Sequence, residues 1–280
     1  GHGGDTVFFH TEMVLLPAQG PFDIHDMSSW SRTIFVPLSI VYAHRPLCAI
    51  PPDRGIRELF VNVEPAHRAG LVQLGWMQRL AQARPRSRAE AWQRFFFATD
   101  RLLKRYEPHA RRLPLRRRAL ARAASWMLDR LPGSDGLSAI LPAMANSIMA
   151  LRCLGYGNDH ALLAEQLRHL DGLLFSEAGG ALRMQPCISP VWDTLQSCHA
   201  LLRAGVPGDA PALRRAASWL LTKQTRSPGD WAQNCPVPPG GWYFEGRNEP
   251  YPDVDDTCMA LMVLARAVAE GASEEQEAAI

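Results

Sequence analysis

Helical periodicity that recurs at intervals along the chain is the strongest constraint on its fold. Apolar residues return three and four positions apart in Ala143–Leu154, Trp192–Leu202, Ala212–Leu221 and Cys258–Val268, and strand-like alternation is nearly absent. Ala124-Ser125-Trp126-Met127-Leu128 recurs as Ala217-Ser218-Trp219-Leu220-Leu221, 93 residues on. A second theme runs through Met149-Ala150-Leu151-Arg152, Ala200-Leu201-Leu202-Arg203-Ala204-Gly205 and Met262-Val263-Leu264-Ala265-Arg266-Ala267. Glycine and proline punctuate the gaps at Leu131-Pro132-Gly133, Gly205-Val206-Pro207-Gly208 and Pro236 to Gly241. A single helical hairpin cannot bury its own apolar face, so repeated hairpins must stack or close into a ring. The expected fold is all-α, a solenoid or an α/α barrel (toroid), and periodicity leaves that choice open.

Composition narrows the function classes. A 280-residue chain that is 47% hydrophobic has room for one large domain or two smaller ones. A formal net charge of +2 is too small to indicate nucleic acid. Cys48, Cys153, Cys187, Cys198, Cys235 and Cys258 are scattered without a CxxC pair, which predicts free thiols. No stretch reaches 18 apolar residues, and the longest candidate, Thr33 to Ala43, is broken by Pro37. The chain begins without methionine and runs out in helix-forming sequence, so a piece of a longer polypeptide is expected.

One segment stands apart. From Arg84 to Arg130 there are 14 Lys and Arg against 4 Asp and Glu. Trp92-Gln93-Arg94-Phe95-Phe96-Phe97 and Leu102-Leu103-Lys104-Arg105-Tyr106 lie inside it. Aromatic rings among arginines suit a helix lying in a membrane interface, and they equally suit a solvated basic face over a buried aromatic stripe.

The chemically suggestive stretch is Asp253-Val254-Asp255-Asp256-Thr257, which opens an apolar helix after Gly240-Gly241-Trp242-Tyr243-Phe244-Glu245. Aspartates at a helix start cap free N–H groups and favour the dipole. The same three carboxyls cannot all ionise freely, so one keeps its proton where a lone aspartate would lose it. An acid whose anion is stabilised by helix N–H groups could protonate an unactivated alkene. A calcium loop needs alternating ligands and a glycine that this stretch lacks. The residues alone leave cap and acid open.

Pro252-Asp253-Val254-Asp255-Asp256-Thr257 resembles the DxDD motif of squalene–hopene cyclases, class II terpene cyclases. Gly240-Gly241-Trp242-Tyr243-Phe244 is similar to the aromatic segment preceding it there. Ser189-Pro190-Val191-Trp192-Asp193-Thr194 resembles another signature, as does Glu12 to Pro17 with Pro21-Phe22 and Ser29-Trp30-Ser31-Arg32. Gln224 with Gly229-Asp230-Trp231 resembles a QW motif, in which a glutamine bonds a helix end and a tryptophan stacks on it. These landmarks fall in the family's order.

The resemblance implies parts of two α/α-barrel domains. Residues 1–185 would be the later part of the inserted N-terminal-type domain, and residues 186–280 the start of the catalytic domain. It implies cofactor-free cyclisation of squalene or a similar polyprene to hopene and hopanol, an isomerase and hydro-lyase activity. It gives Asp255 as proton donor, with Asp253 and Asp256 tuning it. Trp30, Trp192 and Phe244 match aromatic positions of the cavity, with Trp242 and Met149 as further substrate contacts. It implies a monotopic protein in one leaflet at the cytoplasmic face of a bacterial membrane. No metal or nucleic acid is implied, and a homodimer stays open.

The pattern is broken in places. Leu131 stands where the first repeat should carry its glutamine, and Leu137 where it should carry tryptophan. Glu245 replaces the usual glutamine, and Asn146 an aromatic. Two other readings follow: a class II cyclase of another prenyl substrate, such as a diterpene-type chain, or a fold-retaining paralogue that only binds. Three crowded carboxyls argue against the last.

Overall fold

The computed structural model describes residues 10–17, 23–47, 51, 54, 87–110 and 113–268. Pro21, Phe22, Cys48, residues 84–86 and residues 269–280 lie outside them, as do the side chains of Gln93, Phe96, Phe97, Leu103 and Lys104.

Eight α-helices carry the described fold: α1 (Ser29–His44), α2 (Arg88–Ala110), α3 (Pro114–Leu128), α4 (Leu141–Cys153), α5 (Ala161–Asp171), α6 (Pro190–Arg203), α7 (Pro211–Leu221) and α8 (Val254–Val268). Short 3₁₀ turns lie at Thr11–Leu15, Ile24–Asp26, Leu137–Ala139 and Asp230–Gln233. The described residues are mostly helical, as the periodicity predicts, and consistent with parts of the α/α-barrel domains that the resemblance implies. Among the described residues none is long and apolar enough to cross a membrane. The described cysteines are free.

Local sequence sets the helix ends. Pro114, Pro190 and Pro211 open α3, α6 and α7, where a missing N–H costs nothing. Ser28 caps α1 by accepting the Ser31 N–H at 3.2 Å. The recurring helix-and-glycine theme ends in the same turn twice. Gly155 (φ 94°) and Gly205 (φ 86°) follow α4 and α6. The next residues donate back, Tyr156 N–H to Leu151 and Val206 N–H to Leu201, each at 3.1 Å. This left-handed helix stop favours glycine. The 93-residue repeat also keeps a partner: Arg130 lies 4.0 Å over Trp126, and Lys223 lies 5.3 Å over Trp219.

Two buried clusters result. The first joins Val36 and Ile40 of α1, Ala123 and Met127 of α3, and Ala143 and Leu151 of α4. The second joins Val191 and Leu195 of α6, Leu213 and Leu220 of α7, and Val263 and Leu264 of α8, with Trp242 among them. Leu131 and Leu137, at the positions where the repeat pattern lacks its glutamine and tryptophan, are each 1% exposed in the first cluster. The broken repeat is closed by apolar packing. Gln224, its counterpart, donates from Nε2 to the Gly240 carbonyl at 3.0 Å, so it ties a loop where the resemblance implies a helix end.

One element departs from the helical pattern. Leu174–Ser176 and Leu182–Met184 pair antiparallel around Gly179 (φ 96°) and Gly180 (φ 81°). Strands of three residues are too short to leave a readable alternation.

Candidate active site: a carboxyl cluster at the start of α8

The start of α8 is held from two sides. Asp253 donates its N–H to the Trp242 carbonyl at 3.0 Å, and the Trp242 N–H is accepted by Thr257 Oγ1 at 3.0 Å. A side chain at Gly241 would meet Thr257 Oγ1 at 2.8 Å and Pro252 Cβ at 3.0 Å, so this close approach requires glycine. The aromatic segment is thereby laced to the helix mouth.

The three aspartates have three environments. Asp253 Oδ1 accepts the Asp256 N–H at 2.8 Å, the bond of an N-cap. Asp255 faces outward and is exposed. Asp256 is 1% exposed, and its Oδ1 has no hydrogen-bond partner among the described residues. Burial above all, then its hydrogen bond with Asp253 and the charges of Asp253, Asp255 and Glu245, push the Asp256 carboxyl up to about 8. The cap reading and the retained-proton reading therefore coexist, on different residues.

Glu245 is a second buried acid, also 1% exposed, with Oε1 unpartnered among the described residues. Burial, then the Asp135 charge, push it up to about 8 against the hydrogen bond with Asn248. Arg247 does not neutralise it, because that side chain pairs with Asp135 at 2.8 Å. A protonated glutamate has the shape and neutrality of glutamine. Burial thus favours the neutral form at this position, where the family pattern has glutamine.

The aromatic candidates divide. Trp30, at the start of α1, meets Phe244 edge-on, with ring centroids 4.6 Å apart at 87°. Both are half-buried, as is Trp192 in the first turn of α6. Trp242 is 1% exposed, and its Nε1 donates to the Leu220 carbonyl at 2.7 Å. It is a packed core residue, and no face of its indole is open to a ligand. Met149 is 42% exposed on α4. Asn146 donates to the Ile34 carbonyl at 3.4 Å, joining α4 to α1. A cleft of about 650 Å³ lies between Arg130, Lys223, Tyr243, Arg247, Glu249 and Tyr251; the three aspartates of the motif are not in its wall. No cluster among the described residues has the composition of a metal site.

A feature the sequence did not reveal lies beside this wall. Asp230 bonds Arg32 with Oδ1 at 2.9 Å and Arg130 with Oδ2 at 2.8 Å. Arg32 and Asp230 belong to quoted motifs, but no local spacing pairs them.

The profile of the squalene-hopene cyclase N-terminal domain matches residues 7–179. That of the squalene-hopene cyclase C-terminal domain matches residues 188–280. The chain is 36% identical over 275 residues to a probable squalene–hopene cyclase of Sinorhizobium fredii, covering 96% of this chain and 40% of that protein. It is 38% identical over 257 residues to a squalene–hopene cyclase of Bradyrhizobium diazoefficiens, covering 91% and 37%. It is 33% identical over 255 residues to one from Alicyclobacillus acidocaldarius, covering 90% and 37%. The chain thus spans about two fifths of the length of the curated relatives it matches. With both domain profiles matched in order and the acid motif seated at a helix start, the chain belongs to the squalene-hopene cyclase family.

Proposed function

We propose that the full-length protein catalyses cofactor-free, proton-initiated cyclisation of squalene to hopene and hopanol. The observation that carries this reading is the carboxyl cluster at the start of α8. Burial and like charge keep a proton on Asp256 at neutral pH, beside two further aspartates. The relatives' names supply the substrate.

In this proposal Asp255 gives its proton to a terminal double bond of the polyene. The alkene π pair forms the new C–H bond and leaves a tertiary cation. Each following double bond then supplies its π pair to the cation, closing rings in turn. Loss of a proton to water ends the sequence as hopene, and a proton from water, returned with the help of Asp253 and Asp256, recharges Asp255. Capture of water followed by proton loss ends it as hopanol, and the reverse of that hydration is the hydro-lyase activity. Asp253 accepts a helix N–H and so fixes the geometry of the cluster. Asp256, held neutral, stabilises the Asp255 anion left after transfer. Trp30, Phe244 and Trp192 offer ring faces that stabilise passing cations without a nucleophile.

The domains in this proposal divide at 185/186. The bilayer is the proposed partner of α2, on which Trp92 and Phe95 are each 53% exposed and Leu102 is 68% exposed. A monotopic seat on the cytoplasmic face and a homodimer belong to the same proposal.

Expression of the full-length gene with squalene in detergent, with mass spectrometry of the lipid extract, tests the reading. Hopene that disappears in Asp255→Asn supports it. A folded protein that cyclises only geranylgeranyl-type chains replaces it with the second reading, which Leu131, Leu137 and Glu245 favour as departures from the family pattern. A folded protein inert to every polyprene rejects both.

A further inference from the structure

Asp230 lies at the centre of a buried three-residue ion cluster drawn from distant parts of the chain. Its side chain is 7% exposed, that of Arg32 3% and that of Arg130 15%. Arg32 enters from α1. Its Nη2 reaches Asp230, and its Nη1 donates to the Met27 carbonyl at 2.7 Å. Arg130 enters just after α3. Its Nη2 reaches Asp230, its Nη1 donates to the Trp126 carbonyl at 2.9 Å, and its guanidinium lies over the Trp126 ring. A second link runs parallel, from Asn234 Nδ2 to Asp26 Oδ1 at 3.0 Å. The 3₁₀ turn Asp230–Gln233 is therefore fastened to the start of α1 and the end of α3.

The fastening bears on the aromatic wall. Trp30 is two residues before Arg32 in the first turn of α1. Phe244, its edge-on partner, lies 14 positions after Asp230 on the same connection between α7 and α8. Two buried guanidiniums sharing one carboxylate repel each other once that carboxylate is neutralised. The start of α1 and the end of α3 are then pushed apart, the 3₁₀ turn is left to the Asn234–Asp26 link, and the support of Trp30 against Phe244 loosens.

We propose that Asp230 is a positioning residue that holds Trp30 edge-on against Phe244 by binding Arg32 and Arg130 together. The consequence for catalysis rests on the cyclase reading; the positioning itself does not. A cation-stabilising wall acts only when its rings sit where charge develops, and a misplacement of about 1 Å costs on the order of 100-fold in rate.

The test has two arms on the full-length protein. In the first, 5-fluorotryptophan is incorporated and the Trp30 fluorine resonance is assigned by its loss in Trp30→Phe. Phe244→Leu supplies its position without the ring contact. Asp230→Asn, with helicity unchanged by circular dichroism, moves the resonance to that position, and Asp230→Glu returns it toward wild type. A resonance that stays at the wild-type position in Asp230→Asn overturns the proposal. Should Asp230→Asn fail to fold, Arg130→Gln removes one arm and leaves the Arg32 pair. It gives an intermediate position, and an unmoved resonance again overturns the proposal. In the second arm, Asp230→Asn lowers kcat about 100-fold with KM within about 3-fold and releases early-terminated products. Wild-type levels of complete product overturn the catalytic consequence. A wild-type protein inert to polyprenes counts against the cyclase reading, and the fluorine arm still decides the positioning.

Discussion

Asp253 accepts the backbone N–H of Asp256 at 2.8 Å, so the first aspartate of the acid motif caps the helix on which the third is buried. One hydrogen bond joins the structural and chemical readings of the motif. The cap orders the first turn, and the ordered turn carries Asp256 out of water.

Neutralising the outward aspartate separates chemistry from stability. Asp255→Asn should abolish product, because the cluster then lacks the carboxyl that hands its proton to the polyene. The residue is exposed, so its melting temperature should stay within about 2 °C of wild type. Product assay and calorimetry on the same preparation check both. Substantial turnover in this variant would remove Asp255 from the donor role.

Glu245 sets a pH dependence. Its carboxyl sits near 8 in the fold against an ordinary 4.5. Below about 4.5 both folded and unfolded chains hold the proton, and stability is unaffected. Between about 4.5 and about 8 only the folded chain holds it, so stability falls as pH rises through this window. Glu245→Gln should flatten that decline and leave the melting temperature near pH 4 almost unchanged. Melting curves from pH 4 to 9 decide it. Asp256 contributes a slope of the same sign and remains in the variant.

Trp242 should behave as core. Trp242→Phe leaves the Leu220 carbonyl without its buried donor and opens space, at a cost of about 2 kcal/mol. Denaturant unfolding measures the loss. The product pattern should be unchanged, and an altered ring pattern would return Trp242 to the cavity wall.

Restoring the missing glutamine should not restore its function. Leu131 is 1% exposed among apolar neighbours. Leu131→Gln puts an amide there with no loop carbonyl of the kind Gln224 finds, at a cost of about 2–4 kcal/mol. An unchanged unfolding midpoint would show that a partner exists.

Much of the fold was legible because its signals are local. Pro190 and Pro211 start helices, Gly155 and Gly205 stop them, and the 93-residue repeat keeps even its ring–cation contact. The hairpin at Leu174–Met184 was not legible, because two three-residue strands carry too little alternation. Within the site, the identity of the motif could be read and the division of labour could not.

The sequence by itself determined the helices, their turns and the position of the carboxyl cluster, since periodicity, capping and spacing act over a few residues. Only the tertiary structure decided which carboxyls lose water, that Trp242 turns into the core, and that Asp230 joins Arg32 and Arg130 across 198 and 100 positions of chain. Those outcomes depend on burial and on pairing between distant segments. Such quantities exist only once the helices are packed.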